Sequence, residues 1–421
     1  MELGTLLAFT KRVGASDLHI SAGAPPMVRI QGNMRHLALP DLREDDPLPA
    51  REVETMVFAV LTESQQKRLE EEHELDFSLQ LGDVGRFRGN VLYQSRGLAA
   101  VFRVIPDKIP SFDDLGLPET VRALAERDKG LVLVTGPTGS GKSTTLAAMV
   151  DFVNRSRGGH IITIEDPIEF VHAPKKCMVN QREVGPNTKS FANALRAALR
   201  EDPDVILVGE MRDRETIALA ITAAETGHLV FGTLHTNSAT KTIDRILNVF
   251  PAGEMEQVRA MLSESLQAVV AQLLLPRRGG SGRVAAHEIL IGTSAVRAMI
   301  RDGRTHTLGN AIQTGQRHGM QSLEQALTRL AGEGLVEASV VQDVLTGGGE
   351  VPPAGALAQD RPAAQPLPSM TPPQRPPAPA LNRPAASPLS PPRIAPAAAA
   401  VAQRPAVPGD GTRVGSKYKY S

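Results

Sequence analysis

The sequence predicts an α/β protein in which a smaller α+β domain precedes the main domain and a disordered tail follows it. Three patterns support this architecture. Between residue 130 and about residue 290, short apolar strands alternate with helical segments, which is typical of a largely parallel sheet covered on both faces. Residues 1–105 mix short alternating strands with helices instead. Residues 347–421 are rich in proline and alanine.

The N-terminal domain is predicted over residues 1–105. Alternating strands at residues 87–93 and 100–104, together with a charged helix near residues 63–74, indicate a small α+β fold. Residues 106–118 hold three prolines and one glycine, a composition that favours a connection between domains. We expect this segment to be the interdomain linker.

The main domain is predicted over residues 119–346, since a chain of this length exceeds one compact core. Its strands are recognised as short apolar runs bounded by glycine or aspartate. These strands are predicted at residues 131–135, 161–164, 205–208 and 229–234. Helices are predicted to close the domain at residues 254–275, 294–302 and 321–331.

The tail, residues 347–421, differs from the rest in composition and charge. Residues 351–410 contain 17 of the 32 prolines, so this segment cannot bury enough apolar surface to offset the entropy of ordering, and we expect it to be disordered. From residue 351 onward there are eight Lys and Arg against two Asp and Glu. The preceding residues are therefore acidic, although the whole chain is neutral, and they give no support to a nucleic-acid partner.

Cysteine content and hydropathy exclude several further kinds of protein. Cys177 is the only cysteine, which excludes an internal disulfide framework and a four-cysteine zinc site and fits a reducing compartment. The apolar stretch at residues 3–9 is too short for a membrane span and poorly ordered for a signal peptide. The sequence therefore predicts a soluble, cytoplasmic protein.

A glycine-rich loop carries the clearest chemical signal. It follows a predicted strand and precedes a helix, which is the context that a phosphate-binding G-x-x-x-x-G-K-[ST] loop requires. The loop consists of Gly136, Pro137, Thr138, Gly139, Ser140, Gly141, Lys142, Ser143 and Thr144. Its backbone N–H groups are suited to a phosphate, Lys142 to the β and γ oxygens, and Ser143 to Mg²⁺. We expect ATP and Mg²⁺ as cofactors.

Three polar side chains follow other strands of the predicted sheet: Glu165, Glu210 and His235. Because ligands collect at the carboxyl ends of parallel strands, the two carboxylates are candidates to hold Mg²⁺ or orient a water. Helix capping or exposure to solvent is their alternative role. His235 is a candidate to contact the γ-phosphate, ahead of His228 in the same segment, and a structural role is the alternative for both.

Two aspartates lie on the other side of the same sheet. Asp202 and Asp204 precede the strand predicted at residues 205–208. They should therefore lie at the opposite edge from Glu210, where a capping or turn role is expected.

Four segments together carry a resemblance to a known family. They are residues 136–144, 162–170, 200–213 and 226–235. On these segments the chain, from about residue 14 to residue 345, closely resembles the PilT family of type IV pilus retraction ATPases, within the wider secretion ATPase superfamily. Shorter segments favour the retraction branch, namely residues 15–20, 311–316 and 319–322.

The resemblance implies both an assembly and a set of residue roles. It implies a homohexameric ring of subunits with a PAS-like N-terminal domain, a RecA-like P-loop ATPase core, and ATP between the two. Glu165 would be the catalytic glutamate that polarises water, and Glu210 the glutamate near Mg²⁺. His228 and His235 would belong to the segment that senses the γ-phosphate.

The resemblance also suggests a role for arginines of the N-terminal domain. Four of them match the arginine-bearing strands of the family: Arg86, Arg88, Arg96 and Arg103. An arginine near the transferring phosphate can be worth about 10³–10⁵ in rate. Arg88 and Arg103 are the preferred catalytic pair, and exposure to water on a strand is the alternative for each.

The function that the resemblance implies is an ATP-hydrolysing motor that powers type IV pilus retraction, and hence twitching motility. The expected partners are the pilus inner-membrane platform protein and a paralogous retraction ATPase, at the cytoplasmic face of the inner membrane. A pilus assembly or type II secretion ATPase is the alternative, although those relatives typically have a longer N-terminal region and often a four-cysteine zinc insert. A DNA-translocating ring would need a basic channel, and intact glutamates argue against an adaptor that only binds ATP.

Overall fold

The computed structural model describes residues 2–30, 32–37, 46–279 and 282–346. The tail predicted to be disordered, residues 347–421, lies outside the described residues. Within the described ranges, no helix has both the length and the apolar character that crossing a bilayer requires.

In its described residues, the N-terminal part forms one antiparallel sheet with three helices. Its elements are α1 (Leu3–Arg12), β1 (Asp17–Ser21), β2 (Met27–Ile30), β3 (Asn33–His36), α2 (Ala50–Phe58), α3 (Glu63–Glu72), β4 (Glu74–Leu81), β5 (Gly85–Gln94) and β6 (Gly97–Ile105). The strand order is β3-β2-β1-β6-β5-β4. Strands β5 and β6 contain the two strands predicted here, and their fully buried Phe87 and Phe102 pack with Leu6 and Leu18 in one core.

The second part contains the remaining seven strands. Its elements are α4 (Phe112–Leu115), α5 (Glu119–Ala125), β7 (Gly130–Thr135), α6 (Lys142–Ser156), β8 (Gly159–Glu165), β9 (Cys177–Glu183), α7 (Phe191–Ala198), β10 (Val205–Val208), α8 (Arg214–Glu225), β11 (Leu229–Leu234), α9 (Ala239–Leu247), α10 (Met255–Ser265), β12 (Leu266–Pro276), β13 (Arg283–Ile291), α11 (Ser294–Arg301), α12 (Leu308–Thr314), α13 (Leu323–Gly332) and α14 (Ala338–Leu345).

The second sheet has the order β13-β12-β7-β11-β10-β8-β9, and every neighbouring pair is parallel except β12 and β13. All four predicted strands are confirmed as β7, β8, β10 and β11. Successive residues of β7 enter different cores: Leu131 and Leu133 pack on one face, and Val132 and Val134 on the other. The sheet is therefore covered on both faces, which explains why its strands are apolar runs without alternation.

The helix predicted at residues 254–275 is wrong beyond Ser265. Helix α10 ends there, and strand β12 begins at Leu266 between β7 and β13. Because β12 is buried on both faces, its sequence is almost continuously apolar. Periodicity alone cannot separate such a strand from a buried helix, and this strand was missed for that reason.

A buried carboxylate joins the two sheets. Glu183, at the end of β9, is only 4% exposed, and its Oε2 lies 2.7 Å from Nη2 of Arg86 on β5. Ser78 on β4 donates its hydroxyl to Oε1 of the same carboxylate, and the backbone N–H of Ile168 donates to Oε2 over 3.2 Å. A carboxylate this buried requires such partners, because an unpaired buried charge is costly.

We expect Arg86→Met to lower the free energy of unfolding by about 1.5–3 kcal/mol, because Glu183 loses its charged hydrogen-bond donor. Arg88→Met is the matched control on the same strand. Its pair with Asp76 spans 3.7 Å and is exposed, so that it is worth about 0–1 kcal/mol. Urea unfolding of the full chain measures both variants, and an equal loss from each would contradict the role given to Glu183.

Candidate functional site

The glycine-rich loop, residues 136–144, connects β7 to α6 at the carboxyl edge of the second sheet. Gly139 and Gly141 have φ values of 79° and 88°, a region that favours glycine. A Cβ on Gly136 would lie 2.3 Å from the carbonyl oxygen of Gln272, so no larger residue fits there. The backbone therefore turns sharply into the N-terminus of α6, whose free N–H groups suit an anion.

The side chain of Lys142 forms hydrogen bonds with the backbone of its own loop. Its Nζ donates to the carbonyl oxygens of Gly136 and Pro137 over 2.9 and 3.1 Å. Burial lowers the pKa of Lys142, whereas Glu210 and Glu169 act in the opposite direction. The ammonium group thus lies over the loop on carbonyl partners that phosphate oxygens can replace.

The loop residues fit a phosphate chain. The hydroxyl oxygen of Ser140 is buried and has no hydrogen-bond partner within the described part of the chain. Nothing lies within 4 Å of the position that a Cβ would take on Gly139. Pro137, Thr138 and Gly139 are exposed, while Ser143 and Thr144 at the start of α6 are half-buried. An unpaired hydroxyl beside an open backbone cradle is a binding feature, because buried polar groups are otherwise paired.

Gln272 on β12 supports the loop from below. Its Nε2 donates to the carbonyl oxygen of Ser140 over 2.6 Å, and its Oε1 accepts from the hydroxyl of Thr145 over 2.8 Å. The side chain is 4% exposed. Sequence reasoning missed this residue because β12 was assigned to a helix.

Glu165 ends β8 and its carboxylate has three donors. Oε1 accepts from the hydroxyl of Thr163 at 2.6 Å and from Nε2 of Gln181 at 3.2 Å, and Oε2 accepts from the backbone N–H of Glu169 at 3.4 Å. Burial raises the pKa of Glu165 in spite of these hydrogen bonds. The carboxylate is therefore a stronger base than an exposed glutamate.

Glu210 follows β10 and pairs with Arg212 and His235. Its Oε1 lies 2.5 Å from Nε of Arg212 and 3.1 Å from Nε2 of His235, and its Oε2 lies 2.7 Å from Nη2 of Arg212. Burial opposes ionisation of Glu210, but Arg212 and His235 outweigh it and lower its pKa. This glutamate remains charged where Glu165 is more easily protonated, so that the two acids differ in chemistry.

His228 is not brought to this edge. It precedes β11, and its Nδ1 lies 2.9 Å from the carbonyl oxygen of Ala223 at the opposite end of the sheet. Among the described residues the two histidines therefore lie at opposite ends of β11, with His235 at the carboxyl edge. Their shared role in sensing the γ-phosphate stays a prediction. The two ends of a strand lie at opposite edges of the sheet, so two histidines that flank one strand cannot share an edge.

Asp202 and Asp204 lie at the opposite edge, as predicted. Oδ2 of Asp204 accepts from the backbone N–H of His160 over 2.7 Å, at the start of β8. Asp202 has a φ of 52° in the connection before β10. Both serve the turn geometry of that edge.

Arg88 and Arg103 lie beside each other on β5 and β6. Arg88 pairs with Asp76, and Nε of Arg103 lies 2.8 Å from Oδ1 of the buried Asp17. Neither has a contact with the phosphate loop among the residues that the structure describes. Their catalytic role stays a prediction.

Comparison with known proteins matches residues 8–338 to the family described as type II/IV secretion system protein. The type IV pilus retractation ATPase PilT of Pseudomonas aeruginosa is 56% identical over 336 residues, which are 80% of this chain and 96% of that protein. A twitching motility protein of Neisseria gonorrhoeae is also 56% identical, over 74% of this chain and 82% of its own.

Among solved structures, a crystal structure of the pilus retraction motor PilT with bound ADP is similar to this chain. It has a TM-score of 0.76 at 49% identity, and the match covers 82% of this chain and 96% of that one. These findings confirm the predicted resemblance and the α/β architecture. The PAS-like assignment of the N-terminal domain stays a prediction.

We expect Gln272→Leu to weaken ATP binding about tenfold, since lost partners of buried polar groups cost about 1–3 kcal/mol and 1.4 kcal/mol is a factor of ten. Titration with a fluorescent ATP analogue measures the change. Gln267→Leu is the matched control, because Gln267 lies on the same strand beside Gly130 at the far edge. Equal affinities in the two variants would contradict the role of Gln272.

Proposed function

Because this chain belongs to the type II/IV secretion system protein family, we propose that it is an ATP-hydrolysing motor that powers type IV pilus retraction. One observation carries the proposal. Glu165 ends one strand of the parallel sheet, and the phosphate loop, Glu210 and His235 each follow another. The parallel register aligns these strand ends at one edge. Phosphoryl transfer depends on this kind of positioning and on charge stabilisation.

In the proposed reaction, backbone N–H groups of the loop and Lys142 hold the phosphates of ATP. Glu165 accepts a proton from the attacking water, because its raised pKa suits a general base. Ser143 and the ionised Glu210 are the residues suited to hold Mg²⁺, which when bound neutralises charge on the phosphate oxygens. Nε2 of His235 lies 3.1 Å from Oε1 of Glu210, so that a ligand that moves this carboxylate would break the contact with His235.

Arg88 and Arg103 are the proposed arginines that stabilise charge on the transferring phosphate. In this structure they are held by Asp76 and Asp17, so they must exchange these partners to act. Asp76 is exposed and its contact with Arg88 spans 3.7 Å, so that breaking this ion pair costs little free energy.

The family also suggests an assembly and a location. We propose a homohexamer at the cytoplasmic face of the inner membrane, in contact with the pilus platform protein and a paralogous retraction ATPase. ATP binding between the two domains of each subunit would then turn domain movement into pilus disassembly.

Two substitutions test the chemistry. We expect Glu165→Gln to reduce turnover about 10²–10⁴-fold while ATP binding persists, because only the general base is lost. Lys142→Ala should abolish ATP binding itself. Steady-state phosphate release and nucleotide titration separate these effects. Glu201→Gln is the control, because Glu201 precedes β10 at the opposite edge and its Oε1 lies 3.5 Å from Nη1 of Arg182. Undiminished turnover in Glu165→Gln would contradict the proposed base.

Gene deletion tests the direction of the motor. A retraction ATPase predicts excess, immobile pili in the deletion strain, because assembly continues without disassembly. The assembly alternative predicts no pili. Electron microscopy counts the pili, and twitching assays measure their movement. Complementation with the wild-type gene should restore movement, whereas the Glu165→Gln gene should not.

A further inference from the structure

Strands β8 and β9 bring several polar side chains to one side of the sheet edge. In their parallel register, Thr163 pairs with Gln181 and Glu165 pairs with Glu183. Alternate residues of a strand face the same side, so Thr163, Glu165 and Gln181 face the same way. Thr163 and Gln181 are therefore neighbours across the two strands, and both contact the Glu165 carboxylate.

The orientation of the Gln181 amide is determined by two backbone groups. Its Oε1 accepts from the N–H of His172 over 2.7 Å, and its Nε2 donates to the carbonyl oxygen of Phe170 over 2.8 Å. An N–H can only donate and a carbonyl can only accept, so the amide cannot be flipped. The second hydrogen of Nε2 therefore points to Oε1 of Glu165, 3.2 Å away.

The two oxygens of Glu165 are consequently unequal. Oε1 accepts from Thr163 and Gln181 over 2.6 and 3.2 Å, whereas within the described residues Oε2 accepts only from the N–H of Glu169, over 3.4 Å. We propose that Gln181 is a positioning residue for hydrolysis: together with Thr163 it holds Oε1 of Glu165, so that Oε2 takes the proton of the attacking water. The inference rests on the proposed role of Glu165 as the base.

The step that Gln181 serves is the attack of water on the γ-phosphorus of ATP. The water gives a proton to Oε2, its oxygen forms a bond to the γ-phosphorus, and the bond from that phosphorus to the β–γ bridging oxygen breaks to leave ADP. A base held by two hydrogen bonds on its other oxygen keeps one direction. Displacement of a catalytic group by about 1 Å can cost about 10²-fold in rate.

The competing role for Gln181 is purely structural. In that role, which we call a brace, its hydrogen bonds to the backbone of Phe170 and His172 would only stabilise the loop at residues 165–172. The two roles differ in what they change. A positioning residue alters the chemical step through Glu165 alone, whereas a brace alters stability and nucleotide binding as well.

The test uses the full-length protein with Gln181→Leu and Gln181→Glu. The second variant keeps an acceptor for His172 but removes the donors. We expect kcat to fall about 10- to 100-fold in both, with KM and ATP affinity within about twofold of wild type, a tolerance well below 1 kcal/mol. Asn180→Leu is the matched control, because this amide is adjacent on β9 but contacts His160 instead. A wild-type kcat in Gln181→Glu would overturn the inference.

A double-mutant cycle completes the test. If Gln181 acts through Glu165, single-turnover hydrolysis in Glu165→Gln/Gln181→Leu equals that in Glu165→Gln alone. A further loss in the double variant would overturn the positioning role. Failure of the proposed function has a different signature, because Glu165→Gln by itself would then keep wild-type turnover.

Discussion

Parallel pairing of β7, β8, β10 and β11 is the constraint on which the site depends. Parallel strands direct their carboxyl ends to one edge, so residues far apart in sequence meet there. The register aligns Thr135 with Leu234 and Val208 with Ile164. Hydrogen bonds then join the strand ends, since the N–H of Gly209 donates to the carbonyl oxygen of Ile164 over 2.8 Å. The site therefore directly extends a buried sheet.

The same edge gives two glutamates different environments. Glu165 has neutral donors and no cationic partner within the described residues, and burial raises its pKa. Glu210 lies between Arg212 and His235, which lower its pKa against the effect of burial. The opposite directions of the two pKa shifts follow from these neighbours, because the two side chains are chemically identical.

Strand β9 links that edge to the N-terminal sheet. Gln181 contacts Glu165, and two residues later Glu183 contacts Arg86 of β5 and the N–H of Ile168. The loop after Glu165 is therefore held from both domains. Of these side chains Glu183 is buried, and Gln181 and Arg86 are half-buried.

The sequence by itself determined the phosphate loop, the four strands that surround it and the two glutamates at their ends. These features are local: an apolar run, a glycine pattern and the residue that follows. Tertiary structure decided that β12 is a strand and that His228 lies at the far edge. It also brought Gln272 to Ser140, Gln181 to Glu165 and Arg86 to Glu183. Gln272 is 132 residues from Ser140, and Arg86 is 97 from Glu183. Such partners are chosen by strand order and register, which depend on packing of the whole chain and leave no mark in the neighbouring sequence.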